Sequence, residues 1–210
     1  MIAPRARLGS GAVSTGRERG GYAKGRERRD AILTAANEVF AKRGFRGASL
    51  ATIAKRVGMS EPGLLHHFAS KEELLLELLK LRDQHDDERI AQARAAHANG
   101  LDVLLALCRQ NEERPGIVRL FTILAAESVD ADHPAHDWFL DRYRERRRVV
   151  AERFAEEQRE GHVDPDLDAE MVASQILAMF DGLQIQWLLD PDSVDMVAVF
   201  EDFLARLRPR

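Results

Sequence analysis

Between Phe45 and Leu79 the chain reads FRGASLATIAKRVGMSEPGLLHHFASKEELLLELL, two short helical patterns broken at Gly58 with a third, longer one close behind. Helices of about two turns are marginal alone, so the segment has to fold as a packed unit, and its punctuation is that of a DNA-reading helix-turn-helix. Ser49 precedes Leu50, Ile53, Ala54 and Val57 at i, i+3, i+4, i+7, a hydroxyl N-cap opening one buried face. Gly58 supplies the positive φ that the residue after a helix commonly needs. Ser60 is a second N-cap and Pro62 falls in the first turn, where a missing N–H breaks no intrahelical bond, so a helix from Glu61 to about Phe68 follows. Ser70-Lys71-Glu72-Glu73 fits a capping box before Leu74, Leu75 and Leu78 and predicts a third helix running toward Ala96.

Residues 26 to 80 resemble the N-terminal domain of the tetracycline-repressor (TetR) family of transcriptional regulators. The resemblance is carried by the helix ending Phe40-Ala41-Lys42-Arg43-Gly44-Phe45, the Ile53-Ala54 pair, the Gly58-Met59-Ser60 turn and the Leu64-x-x-His67-Phe68-x-x-Lys71-Glu72-x-Leu74 block. One departure is Leu65, where the family usually has a Tyr that bonds to DNA. The resemblance implies an all-α protein of about nine helices: a three-helix DNA-binding domain (25–80), then an effector-binding and dimerisation domain (81–210), working as a homodimer on double-stranded operator DNA and released by a small-molecule effector. It also places His67 on the phosphate backbone. The expected recognition surface is Ser60, Glu61, Pro62, Gly63, His66 and His67, with Arg46, Ser49 and Lys71 on phosphates. Arg28 and the earlier arginines are expected to reach the minor groove or the backbone.

A net charge of −4 suits a DNA binder only because it is unevenly spread. Residues 1–80 carry 15 Lys and Arg against 8 Asp and Glu, +7, which leaves −11 for the remainder. Local positive charge is the main source of sequence-independent DNA affinity, and an acidic second half is repelled by phosphate, so two parts with two tasks are expected. Cys108 is the lone cysteine, and no apolar run approaches the roughly 20 residues of a membrane span. The first 21 residues contain Arg but no apolar core of a secretory signal. A cytoplasmic protein without membrane contact is expected. Residues 1 to about 24, rich in Gly, Ser and Arg without apolar period, read as a flexible arm.

The rest of the chain reads as helices: about 101–113, 117–125, 135–160, 168–189 and 192–207, with loops at Asp130–Pro134, Asp164–Asp166 and Asp190–Asp192. The helix after Asp168 is apolar on two sides. One carries Val172, Ile176, Met179, Phe180, Leu183 and Trp187, the other Met171, Ser174, Ala178, Gly182, Ile185 and Leu189, so it needs two partners. Burial within one subunit is one way to supply them; resemblance to a family that dimerises through its last two helices favours a dimer face of Ser174, Ala178, Gly182, Ile185, Leu189, Val199, Phe200 and Phe203. The aromatics read either as core or as pocket wall. The candidate effector residues are Phe121, Leu124, Tyr143, Phe180, Gln184 and Trp187, with few inward polar groups (Thr122, Tyr143, Ser174, Gln184), which suits a mostly hydrophobic ligand.

Other chemistries find little support. Asp130, Asp132, His133 and His136 offer metal-type ligands in one loop but also read as helix-capping residues, and the basic run at 144–148 is interleaved with glutamates as an ion-paired surface would be. There is no Gly-rich phosphate loop, nucleophile elbow or zinc motif, so neither catalysis nor a cofactor or metal is expected. The alternative to a regulator is a small all-α enzyme or a ligand-binding protein without DNA function.

Overall fold

The computed structural model describes residues 16–96 and 99–209. Among them are nine helices and no strand: α1 (Gly16–Arg43), α2 (Leu50–Arg56), α3 (Glu61–Leu65), α4 (Lys71–Ala96), α5 (Gly100–Glu112), α6 (Pro115–Glu127), α7 (His136–Arg159), α8 (Ala169–Leu189) and α9 (Met196–Ala205). No helix of the described residues is long and apolar enough to cross a membrane.

Short polar side chains set the helix starts. Ser49, Ser60, Asn99, Asp168 and Asp195 each accept the N–H three residues on, so an orphan donor of each first turn is satisfied. At α4 the Ser70 hydroxyl accepts the Glu73 N–H at 3.1 Å while the Glu73 carboxylate accepts the Ala69 N–H at 2.6 Å. Gly44, Gly58 and Gly161 take positive φ just past helix ends.

Three boundaries differ from the sequence reading, one of them the start of α9, which comes at Met196 and not at about 192 because Asp195 is its N-cap. α1 begins at Gly16, so residues 16–24 belong to a helix where a flexible arm is expected; once Ile32, Ala36 and Phe40 pin the helix, extra turns need no new nucleus. The rest of the expected arm, residues 1–15, lies outside the described residues. α3 stops at Leu65, because the His67 N–H turns back to the Leu64 carbonyl at 2.8 Å and drives Phe68 into the core.

There are two hydrophobic cores. The first gathers Ile32, Phe40, Ile53, Leu64, Phe68, Leu74 and Leu75, and it does not stop at residue 80: Leu120, Phe121 and Leu124 of α6 and Phe139 of α7 complete it. The second lies among α5, α7, α8 and α9, around Leu105, Cys108, Phe154, Ile176, Leu183, Met196 and Phe200. Burial pushes the Cys108 thiol up to about 12, so it is a packed, protonated group at neutral pH. Between the cores Phe121, Tyr143, Phe180 and Gln184, four of the six candidate effector residues, line one space.

Candidate functional site

α2 and α3 form the helix-turn-helix. Ile53, Ala54 and Leu64 face inward, so the opposite side of α3 presents Glu61, Pro62, Leu65 and His66 to solvent. Ser49 and Ser60 are exposed N-caps. Gly63 sits against the second cap, where an added Cβ would lie 3.2 Å from the Ser60 hydroxyl. His67 is half-buried and its carbonyl accepts from Arg29 at 2.9 Å. Arg29 was not foreseen: it also bonds Glu77 at 3.0 Å and lies over the Phe68 ring, tying α1, α3 and α4 into one rigid reading head. Arg28 is exposed on α1.

Two expected phosphate contacts have partners within the subunit, Lys71 half-buried and Arg46 on the surface with its side chain 67% exposed. Lys71 donates to the carbonyls of Phe45 and Ala48 at 3.0 and 3.1 Å and stacks on the Phe45 ring, so it clamps the turn after α1 onto α4. Arg46 pairs with Asp130 across the α6–α7 loop. That loop is tied by its own hydrogen bonds: Asp130 accepts the Asp132 N–H, the His133 ring bonds the Ser128 hydroxyl at 2.9 Å, and the His136 ring bonds the Ser128 carbonyl at 2.9 Å, while α7 starts at Ala135 without the side-chain cap expected of the loop aspartates. Elsewhere, Glu157, Glu160 and His162 bring ligand-type atoms together, but Glu157 is committed to the Gly100 N–H and the His162 ring.

Between the cores lies a cavity of about 470 Å³ walled by α4, α5, α7 and α8, with Phe121 of α6 at its edge. Phe121, Tyr143, Phe180 and Gln184 line it as expected from the sequence, and Leu124 and Trp187 do not. Leu124, three residues past Phe121, is turned back into the first core, and Trp187 packs on the second. Thr122 and Ser174 are not in the wall either.

The polar groups that are there come from helix faces that read as core or as surface. In α4 the stripe Leu75, Leu79 continues at the same spacing as Arg82, Asp86 and Arg89, so charged residues occupy core-facing positions. In α7 Arg142 is buried, and Arg146, part of the run expected to face outward, turns toward α4 and bonds Asp87 at 2.8 Å. Asp86 is shared among Arg82, Arg89 and Arg142, and Arg142 also pairs with Asp83. Tyr143 donates to Asp181 at 2.6 Å, and burial raises the pKa of both. Their signal in the sequence was the i, i+4, i+7 spacing of Arg82, Asp86 and Arg89 in phase with the leucines.

On the far side of α8 an apolar face has no partner among the described residues. Met171 is 61% exposed, Leu189 80% and Ile185 46%, with Ser174 and Ala178 between them and Val199 of α9 alongside. Gly182 opens onto this face, and a Cβ there would meet nothing within 4 Å. Phe200, expected in this face, is fully buried against Phe180, because its position on α9 points back toward α5 and α8; Phe203 is half-buried beside it.

Residues 32–78 match the family described as bacterial regulatory proteins, tetR family, and residues 96–209 match the one described as BetI-type transcriptional repressor, C-terminal. The HTH-type transcriptional regulator TtgR of Pseudomonas putida is 29% identical over 194 residues, 85% of this chain and 88% of TtgR. The HTH-type transcriptional regulator PksA of Bacillus subtilis (strain 168) is 29% identical over 176 residues, 80% of this chain and 82% of PksA. A TetR transcriptional regulator from Chloroflexus aurantiacus, solved by crystallography, shares the fold at TM-score 0.75 and 24% identity over 87% of this chain and 94% of that one.

Proposed function

The chain belongs to the tetR family of bacterial regulatory proteins and is a DNA-binding transcriptional regulator, and from that premise we propose that it acts as a homodimeric repressor whose hold on its operator is set by what fills the cavity between the two cores. One observation carries the reading. α4 is a single helix whose first turn, at Lys71, clamps the reading head, and whose later turns, at Arg82, Asp86 and Arg89, are cavity wall. Whatever repositions the wall repositions the head.

The unpartnered face of α8 and α9 supports a dimer, because an exposed stripe of Met171, Ile185, Leu189 and Val199 is costly in a monomer. Two recognition helices carried by one dimer read a pseudo-palindrome with half-sites about 34–36 Å apart, or a multiple of that. Pro62, Leu65 and His66 face the bases, and Ser49, Ser60 and Arg28 are the accessible phosphate donors. An effector that prefers a different spacing shifts the population away from the DNA-bound form by its differential affinity.

The test is a gel shift against a duplex selected by the protein from a random library, across a salt series, with sedimentation of the free protein. A dimer whose affinity falls steeply with salt and which selects an inverted repeat fits the proposal. A monomer, or a salt-independent complex, overturns it.

A further inference from the structure

Arg82 is the cavity's unmet requirement. Its side chain is 12% exposed, and its nearest counter-charge is Asp86, 3.5 Å from Nε. Nε and Nη1 are fully enclosed and have no hydrogen-bond partner among the described residues. Asp86 is itself divided, accepting from Arg89 at 3.3 Å and from Arg142 at 3.1 Å. Arg142 has Asp83 as a second counter-charge and Arg89 has Gln110 and Asn111 as further acceptors, so of the three guanidiniums Arg82 is the one that makes no hydrogen bond among the described residues, and buried donors without acceptors are costly.

The surroundings aim that requirement. The Arg82 guanidinium lies on Phe121, 3.9 Å from the ring centroid, which fixes its plane and leaves its edge for a planar partner. Gln184, 4% exposed, lines the same cavity. Asp181, a further aspartate at this end, has its carboxylate occupied by the Tyr143 hydroxyl and makes no hydrogen bond to Arg82 among the described residues. The glutamates of the wall, Glu156, Glu157 and Glu160, lie about 14 or more residues beyond Arg142 on α7, roughly 20 Å along the helix. Burial brings Arg82 down to about 10 and Arg142 to about 9, so both keep their charge at neutral pH. Between this end and the glutamates the wall carries an apolar stretch of Leu104, Leu107, Ile176, Leu177 and Phe180.

We propose that the effector is an amphipathic organic anion, whose carboxylate takes the Nη1–Nη2 end of the Arg82 guanidinium as a bidentate partner, Nε being left to Asp86, and whose apolar body lies between α5 and α8. This rests on the reading of the cavity as the effector site. A cationic amphiphile fits this end poorly, because the ring of Phe121 there already carries the guanidiniums of Arg82 and Arg142, which would repel it. The volume is in the range that holds a small-molecule ligand.

Three matched probes test this on the full chain: decanoate, methyl decanoate and decyltrimethylammonium, titrated calorimetrically into the wild type, Arg82→Gln and Arg82→Lys. Decanoate should bind the wild type about tenfold or more tighter than the ester, the worth of a charged hydrogen bond. Arg82→Gln should erase that preference while ester binding persists as evidence of an intact cavity, and Arg82→Lys should restore part of it. Equal or tighter binding of the ester or the ammonium, a preference that survives Arg82→Gln, or no binding of decanoate overturns the ligand class. The same probes in the gel shift separate the two readings. Arg82-dependent decanoate binding that leaves DNA affinity unchanged keeps the anion site and removes the effector role. Release of DNA by the ester but not by decanoate does the reverse.

Discussion

The Glu127 carboxylate at the end of α6 accepts the backbone N–H of Phe45, in the turn after α1, at 2.7 Å across 82 positions of chain. That bond joins the helix that supplies Phe121 to the cavity and the turn that leads into the reading head. Gly44, next to it, has φ +67°, and a Cβ there would run into the same carboxylate.

Gly44→Ala should therefore destabilise twice, by about 1–2 kcal/mol for the left-handed backbone and by displacing Glu127. Glu127→Ala should cost about 1–3 kcal/mol by orphaning the Phe45 N–H. Thermal or urea unfolding of the two single variants and the double variant is the check: the double should cost less than the sum, since the contact is removed only once. Strict additivity would mean the two do not meet.

His133 is enclosed in the same region, with its Nε2 3.8 Å from Glu127 and no hydrogen bond to that nitrogen among the described residues. Burial lowers its pKa below the usual 6.5, so the folded ring stays neutral where the unfolded one takes a proton. Its contribution is complete above about pH 6.5, falls as the pH drops from there, and levels off below the folded pKa. Unfolding midpoints at pH 7.5 and 5.5 should differ less for His133→Asn than for the wild type. An unchanged pH dependence would show that the ring protonates freely in the fold.

At Gly182 a side chain has room in the isolated subunit, so Gly182→Arg should fold with a near wild-type melting profile and sediment as a monomer. Its DNA affinity should fall with the loss of the second half-site. A folded variant that remains a dimer would place the interface elsewhere.

Lys71→Met should lower stability by about 1–3 kcal/mol, because two turn carbonyls lose a charged donor. The slope of log affinity against log salt should stay nearly constant. A drop in that slope by about 0.9 would restore Lys71 to the phosphate backbone. His66→Ala, by contrast, should change which operator is selected while leaving stability intact, as an exposed residue on the reading face would.

The sequence was legible wherever local chemistry decides geometry. Ser49, Ser60, Asp168 and the glycines after α1 and α2 act over a few residues, and the leucine spacing places α4 and α8 without reference to anything distant. It was not legible where a residue's role depends on a neighbour far along the chain. Lys71 and Arg46 read as phosphate ligands because nothing near them in sequence shows that Ala48 and Asp130 hold them. Phe200 and Val199 are adjacent apolar residues, and only the position of α5 decides that one is core and the other surface. Arg82, Asp86 and Arg89 are in phase with Leu75 and Leu79, and what gives that charged stretch an inward place is Arg142 of α7, some 56 positions further along the chain than Asp86.

α4 also sets a mechanical ratio. From Arg89 in the cavity wall to Lys71 at the reading head is about 18 residues, roughly 27 Å of unbroken helix. A tilt of about 7° pivoting at the wall swings the far end by roughly 3 Å, about the rise of one base pair. In the dimer proposed above the two ends swing in opposite senses, so the separation changes by about twice that. A displacement of about 0.5 Å acting roughly 4 Å from the pivot is enough for that tilt, so in the proposed mechanism a side chain settling onto a ligand there would move each reading head by about the rise of one base pair.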